Sequence, residues 1–231
     1  MAKIGVVVIA TGKYDQFIPI LFKSMKQYFM TNHEVTMFVF TDQDMPKKEG
    51  LVSLFHFHEP WPNPTLKRYH VFDKYKEELL KMDYLFYCDA DMRFVAPVGD
   101  EILPDTETGL VATEHPGFFG GRRGTYETRV ESTACVAPNE GSIYFAGGFN
   151  GGTSAAFLKM SEEIKKKVDR DLENGIIAIW HDESQLNRYM IDNSPKVLSP
   201  SYCYPEYWIN NKMPFPAKLI ALVKNHNEIR N

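Results

Sequence analysis

The chain has 231 residues, 44% of them hydrophobic, enough to bury a sizeable core in one α/β unit and too apolar for a disordered chain. Its formal charge of -4 at pH 7 is small and evenly spread along the sequence, which excludes nucleic-acid binding through a basic face. Three cysteines, Cys88, Cys135 and Cys203, are an odd set without metal-ligand spacing, so a reduced, cytoplasmic setting is expected.

Residues 4–10 (IGVVVIA) read as a strand buried on both faces, too short to span a bilayer, and they run into a loop at Thr11-Gly12-Lys13. No other segment is long enough for a membrane span, so a soluble chain is expected. Over 17–29, Ile20, Leu21, Ser24, Met25 and Tyr28 recur at helical spacing, and 34–41 then gives a second strand. A third strand is expected over 51–58, a long helix over 66–82 and a strand over 84–88. Such alternation predicts an open α/β sheet with its ligand at the carboxyl ends of the strands. Beyond residue 92, glycine, proline and aromatic residues become more frequent, with helices expected over 153–171 and 184–192. No linker, repeat, GxGxxG fingerprint or GxxxxGK[ST] loop is present, which argues against NAD and P-loop chemistry.

The apolar run 84–88 ends abruptly in Asp89-Ala90-Asp91-Met92. Side chains at i and i+2 share one side of an extended chain, so Asp89 and Asp91 are expected to converge on one hard cation, Mn²⁺ or Mg²⁺, that neutralises a phosphate leaving group. Asp42/Asp44 and Asp169/Asp171 have the same spacing without a buried strand in front of them, and both pairs are expected to be solvated.

Four further segments carry chemistry. His115-Pro116-Gly117-Phe118-Phe119 sets an imidazole in a rigid turn beside aromatic surface, suited either to gripping a sugar or to shaping the turn. Phe145-Ala146-Gly147-Gly148-Phe149-Asn150-Gly151-Gly152 lets the backbone approach a ligand closely, or forms a bulge or hairpin with Tyr144, Phe145 and Phe149 as core. Trp180-His181-Asp182-Glu183-Ser184-Gln185 crowds an aromatic ring, an imidazole and two carboxylates ahead of a helix. It reads as a sugar site or as a capping box of Asp182 with Gln185. The end, from Lys224-Asn225-His226 to Arg230, is a frayed terminus or a flap whose cations meet a diphosphate.

Together and in this order, these motifs resemble the family 6 glycosyltransferases, which include the ABO blood-group transferases and the α1,3-galactosyltransferases. The resemblance runs across nearly the whole chain and includes Phe38-Val39-Phe40-Thr41-Asp42, Thr125-Tyr126-Glu127 and Leu198-Ser199-Pro200 besides the segments above. It implies a GT-A fold: a Rossmann-like mixed sheet flanked by helices in one domain, 1–231, with a nucleotide-binding part to about residue 92 and an acceptor and catalytic part after it. It also implies retaining transfer of N-acetylgalactosamine or galactose from a UDP-sugar, in α1,3 linkage, to a β-galactoside-type acceptor, with fucosylation of that acceptor an expectation from the family alone.

By position, Ile9, Ala10, Thr11 and Tyr14 fall where the family holds uracil and ribose, Arg68 falls at a donor-site arginine, and Asp89, Ala90 and Asp91 match the metal and diphosphate motif. His115 and Thr125 fall at acceptor contacts. Ala146, Gly147 and Gly148, with Trp180, His181 and Asp182, fall around the sugar. The small Ala146 and Gly148 favour the bulkier UDP-N-acetylgalactosamine. Glu183 matches the carboxylate that acts as nucleophile or stabilises the oxocarbenium-like transition state, and Lys224 and Arg230 match tail residues that close over the diphosphate. Unlike membrane-anchored animal relatives, the sequence as given starts at its first strand, the pattern of soluble microbial or viral members. It keeps both aspartates where some bacterial relatives carry asparagines, and Pro205 stands where animal enzymes use an acidic acceptor contact. The competing readings are a carbohydrate-binding protein that has lost the chemistry and a metal-dependent UDP-sugar phosphohydrolase. No oligomeric state is implied.

Overall fold

A computed structural model describes residues 1–211 and 213–229. In chain order the strands are β1 (Lys3–Ile9), β2 (Glu34–Thr41), β3 (Leu51–Phe55), β4 (Tyr84–Cys88), β5 (Met92–Phe94), β6 (Leu110–Glu114), β7 (Phe145–Thr153), β8 (Lys196–Leu198), β9 (Tyr204–Pro205) and β10 (Leu219–Ala221). The helices are α1 (Ile18–Tyr28), α2 (Asn63–Leu66), α3 (Arg68–Lys74), α4 (Lys76–Leu79), α5 (Ser154–Glu173), α6 (His181–Asn193) and α7 (His226–Ile229). Seven strands form one mixed sheet in the order β3-β2-β1-β4-β7-β6-β8, in which β7 pairs antiparallel with both β4 and β6 while the other pairings are parallel. A small second sheet, β5-β10-β9, brings the C-terminal segment beside the end of β4. This is the expected GT-A type arrangement.

The central strand β1 is buried from Ile4 onward, because its two faces feed two cores. Ile4, Val6 and Val8 pack with Leu21 and Met25 of α1 and with Phe86 and Phe149. Val7 and Ile9 pack with Phe38, Phe40, Phe72, Phe157 and Leu186, from strands and from helices α3, α5 and α6. Each such side chain withdrawn from water contributes about 1.5–3 kcal/mol, which is what clamps a continuous apolar strand between two helical layers. Among the described residues no helix is long and apolar enough to cross a membrane.

Three local expectations change. The pattern over 17–29 folds as helix α1, but its inner face uses Ile18, Leu21, Ser24 and Met25 while Ile20 points to solvent. The third strand stops at Phe55 instead of residue 58. The long helix expected over 66–82 is three short ones, interrupted at Lys67 and Tyr75, whose ψ angles of 16° and 20° depart from the helical value. The Lys67 carbonyl is shared by the amides of His70 and Val71, and the Tyr75 hydroxyl reaches back to the carbonyl of Phe55. Tertiary anchors override the periodicity there, and the first break turns Arg68 inward.

Candidate active site

β4 ends against β7, with the amide of Asp89 donating to the Gly148 carbonyl at 3.0 Å, and the Asp91 carbonyl accepts from Leu222 at 2.9 Å. Asp89 and Asp91 therefore enter one pocket at the carboxyl end of the sheet, lined also by Ile9, Thr11, Tyr14, Arg68, Ala90 and Lys224. Of the nucleotide-side residues expected from the sequence, Ala10 alone among those described does not line it. Ala10 is fully buried in the core, its amide bonded to the Phe40 carbonyl. Arg230 lies outside the described residues. Lys224 ion-pairs with Asp91 and sits 5.2 Å from the centre of the Tyr14 ring, so the C-terminal segment already reaches the carboxylates.

The two comparison pairs separate from this one, though not as expected. Asp44 is exposed, whereas Asp169 is half-buried and pairs with His70 Nε2 at 2.7 Å. Asp42 is half-buried and accepts from the Gly12 amide at 2.7 Å, shaping the first loop. Asp171 is buried, accepting from Ser132, from the Thr133 amide and from Gln185 at 2.7 to 3.0 Å. A lysine-rich helix face hid an inward carboxylate whose partners lie elsewhere in the chain.

Arg68 is the hub of the site. It is 5% exposed, its Nη1 donates to the Gly147 carbonyl at 2.7 Å, its Nη2 lies 3.5 Å from Asp89 Oδ1, and its Nε lies 3.0 Å from Asp182 Oδ2. The guanidinium also stacks over the Tyr87 ring at 3.9 Å, and the Tyr87 hydroxyl donates to Asp89. Burial opposes the arginine charge, but Asp182, Tyr87 and Asp89 outweigh it and hold its pKa above the ordinary value. Burial pushes Asp182 up to about 7 against the pull of Arg68, with Asp89 and Glu183 adding to the rise.

The capping-box reading of Asp182 and Gln185 is overturned. Helix α6 starts at His181, three residues before the expected position, its N-cap is Trp180, and the side chain that reaches back to the Trp180 amide is Ser184, at 3.0 Å. Asp182 faces Arg68, and Gln185 is buried against Thr133 and Asp171. His181 takes a left-handed φ of 52°, uncommon without a glycine and the kind of strain that accompanies functional sites. That turn sends Glu183 toward β7, where Oε2 accepts from the Gly147 amide at 2.7 Å and Oε1 from the Tyr144 hydroxyl at 2.9 Å. Burial raises the Glu183 pKa, while those two bonds and Arg68 favour its charged form.

Glu183, Asp182, His181, Trp180, Gly147 and Gly148 line a second hollow that shares Trp61, Thr65, Arg68 and Asp89 with the first, so the two form one continuous cleft. Ala146 is buried beside it and does not line it. A Cβ at Gly148 would lie 3.1 Å from Asp89 Oδ2 and 3.3 Å from Cys203 Sγ, so this glycine gives close approach to the carboxylate. The other glycines are part of strand β7, not of a hairpin: a Cβ at Gly151 would meet the Leu85 carbonyl at 2.4 Å.

His115 lies beyond Tyr144, their rings 5.6 Å apart. Its Nδ1 accepts from the Gly117 amide at 3.0 Å, which leaves Nε2–H as a donor, and burial lowers its pKa to about 4, so it is neutral at physiological pH. Thr125 is exposed on the neighbouring loop. Two residues on, Glu127 is buried and accepts from the amides of Thr128, Arg129 and Ile179 and from the Arg129 guanidinium, tying this loop to the segment before Trp180. Sequence reasoning gave no role to Glu127, Tyr87, Trp61 or His58. Two of them carried a signal: Glu127 in the Thr125-Tyr126-Glu127 motif, and Tyr87 two residues before Asp89 on the same side of the strand.

Among the described residues no group of three or more His, Cys, Asp or Glu side chains gathers around a metal position, so the protein offers two carboxylates. That set suits Mn²⁺ or Mg²⁺, which complete their shells with phosphate oxygens and water. Asp91 fits the same conclusion: it is 6% exposed, and burial and the Asp89 charge raise its pKa, with Lys224 offsetting part of the rise. The nearby thiols of Cys88 and Cys203 are pushed up by burial.

A mixed sheet that gathers paired aspartates, a buried arginine and a helix-borne glutamate into one cleft at its strand ends defines a GT-A type glycosyltransferase. The model of glycosyltransferase family 6 matches residues 1–231, and the chain belongs to that family. It is 35% identical to histo-blood group ABO system transferase 1 of Rattus norvegicus over 246 aligned residues, covering 99% of this chain and 68% of that protein. Globoside alpha-1,3-N-acetylgalactosaminyltransferase 1 of Mus musculus is also 35% identical, over 98% of this chain and 68% of its own length. The O-antigen biosynthesis glycosyltransferase WbnI of Escherichia coli is 30% identical, over 90% of this chain and 91% of that protein. The protein is a glycosyltransferase that joins a sugar donor to a glycan acceptor.

Proposed function

We propose that this glycosyltransferase moves N-acetylgalactosamine from UDP-N-acetylgalactosamine, with retention and in α1,3 linkage, to a β-galactoside-type acceptor, in the cytoplasm and with Mn²⁺ or Mg²⁺ at Asp89 and Asp91. The observation that carries this reading is the continuity of one cleft from Thr11 and Tyr14, past Asp89, to Glu183. In it Thr11 and Tyr14 bind the nucleoside, while Lys224 turns from Asp91 to the diphosphate. A divalent cation, when bound, supplies the charge neutralisation that makes UDP a good leaving group. Arg68 orients Asp89 and screens the repulsion between carboxylates and phosphates. Glu183 faces the anomeric carbon and, as its bond to UDP breaks and UDP leaves, stabilises the positive charge there or forms a covalent bond to that carbon.

His115, through Nε2–H, and Thr125 hold the acceptor hydroxyls, and Trp180, 48% exposed beside the cleft, offers an apolar face to a sugar ring. The preference for the acetamido sugar is supported by the glycines at 147 and 148 and by the named activity of the globoside relative.

The test is to incubate purified protein and Mn²⁺ with each of several UDP-sugars over a glycan panel, with products read by mass spectrometry and the anomeric configuration by NMR. Addition of one N-acetylhexosamine in α linkage to β-galactosides is expected. Hydrolysis of UDP-sugar without transfer, or a preference for UDP-galactose, would overturn the reading. Replacing Glu183 by Gln preserves size and one acceptor oxygen, and Tyr144, whose hydroxyl both donates and accepts, can receive the new amide hydrogen. Turnover should fall by on the order of a hundredfold or more with donor affinity little changed.

A further inference from the structure

We propose that Tyr144 is a positioning residue for the catalytic carboxylate, its hydroxyl fixing the plane of Glu183 from the acceptor side of the cleft; this deepens, and rests on, the role given to Glu183 above. Glu183 stands on α6, yet both donors to its carboxylate come from β7 and the residue just before it: the Gly147 amide to Oε2 at 2.7 Å and the Tyr144 hydroxyl to Oε1 at 2.9 Å. The Gly147 amide alone leaves the carboxylate free to rotate about that single bond. A second donor on the other oxygen removes the rotation and keeps both oxygens in register with the cleft.

The phenol is itself held without slack. Tyr144 is 2% exposed, and its ring packs against Phe118, Tyr126 and His115 at centroid distances of 5.1, 5.0 and 5.6 Å. A Cβ at Gly124 would stand 2.1 Å from that ring, so glycine is required for the loop to pass it. The Tyr144 carbonyl accepts from the His115 amide at 2.7 Å. The loops that carry His115 and Thr125 therefore grip the residue that aims Glu183, which links acceptor contacts to the reacting centre. Phenylalanine would satisfy every one of these aromatic contacts. What only tyrosine adds is the bond to Glu183.

The experiment compares the full chain with Tyr144→Phe and Glu183→Gln, using UDP-N-acetylgalactosamine, a β-galactoside and Mn²⁺. Tyr144→Phe should lower kcat about ten- to a hundredfold, less than the loss of a donor that touches the reacting atoms because it acts through Glu183, while the donor KM stays within about threefold. A residue that merely filled the core would leave the Glu183 titration unmoved. Loss of a bond to the charged form should instead move the acid limb of kcat to higher pH. The other charged or titratable groups that face Glu183 are Arg68, Tyr69, Asp89, Asp182 and Cys203, and all are unchanged in this variant. Carboxyl-carbon NMR titration of Glu183 in ligand-free protein reads the same shift without turnover. A kcat within twofold of the parent and an unmoved Glu183 titration, with Glu183→Gln inactive, would overturn the proposal and leave the role of Glu183 standing. Normal turnover by Glu183→Gln would overturn both.

Discussion

Removing Arg68 tests the architecture of the site without any substrate. In Arg68→Met the side chain keeps much of its length but loses the contact to Asp182 at 3.0 Å, the bond to the Gly147 carbonyl at 2.7 Å and the stacking over Tyr87. Asp182, 3% exposed, is left as a buried carboxylate without its partner. Breaking a buried pair in this way costs up to about 3–5 kcal/mol, and proton uptake by Asp182, whose pKa of about 7 rises further without Arg68, holds the loss at pH 7 toward the lower end. The Gly147 carbonyl retains a weak bond from Asn150 at 3.4 Å, so its share of the loss is at the lower end for a hydrogen bond to a charged group, about 1.5 kcal/mol. Asp182→Asn alone should cost less, about 1–3 kcal/mol, because Arg68 still has Gly147 and Asp89. In the double variant no unpaired charge remains at that spot, so the cost should fall short of the sum by about 2 kcal/mol. Urea unfolding of the four proteins at pH 7 measures this coupling directly. A loss below about 1 kcal/mol in Arg68→Met, or additivity within about 0.5 kcal/mol, would show that the two residues do not form a pair and that the hub is misassigned.

Asp91→Asn should cripple UDP-sugar turnover and weaken Mn²⁺ binding measured by calorimetry in the presence of UDP, and full activity after exhaustive chelation would sink the assignment of a metal to Asp89 and Asp91. Gly148→Ala should shift donor preference toward UDP-galactose by about 1–3 kcal/mol. Because the new methyl would crowd Asp89 Oδ2 at 3.1 Å, it should also raise the Mn²⁺ concentration needed for half-maximal rate, and an unchanged metal requirement would contradict that geometry. His115 supplies a pH test of stability. Its folded pKa, about 4, lies below the unfolded value of 6.5, so the unfolded chain takes up the proton first and stability is lost as pH falls through that window. His115→Gln should flatten the pH dependence of the urea midpoint between those values, and a slope equal to that of the parent would show that the imidazole is not the group responsible.

Much of the fold was legible because it rests on faces. The run 4–10, the strand 34–41 and the run ahead of Asp89 are apolar on both sides, and only a position between two helical layers satisfies that. Likewise, the i and i+2 aspartates at the end of a buried strand could be placed at the cleft from the strand alone. The misreadings share a different cause: periodicity records which side of an element is apolar, not which distant group a polar side chain will meet. Residues 66–82 alternate well enough for one helix, yet Arg68 and Tyr75 are drawn aside by Gly147 and Phe55. Asp182 and Gln185 have the spacing of a cap, but their partners are Arg68, Thr133 and Asp171. Glu183 shows the limit most clearly, since local chemistry leaves it as one acidic residue in the first turn of a helix. Its two donors come from 36 and 39 residues earlier in the chain, across the sheet, and one of them is a backbone amide that no side-chain pattern records. Only a whole-chain resemblance to a family could single it out from the sequence, and what fixes its carboxylate in the cleft is visible only once β7 and α6 are packed together.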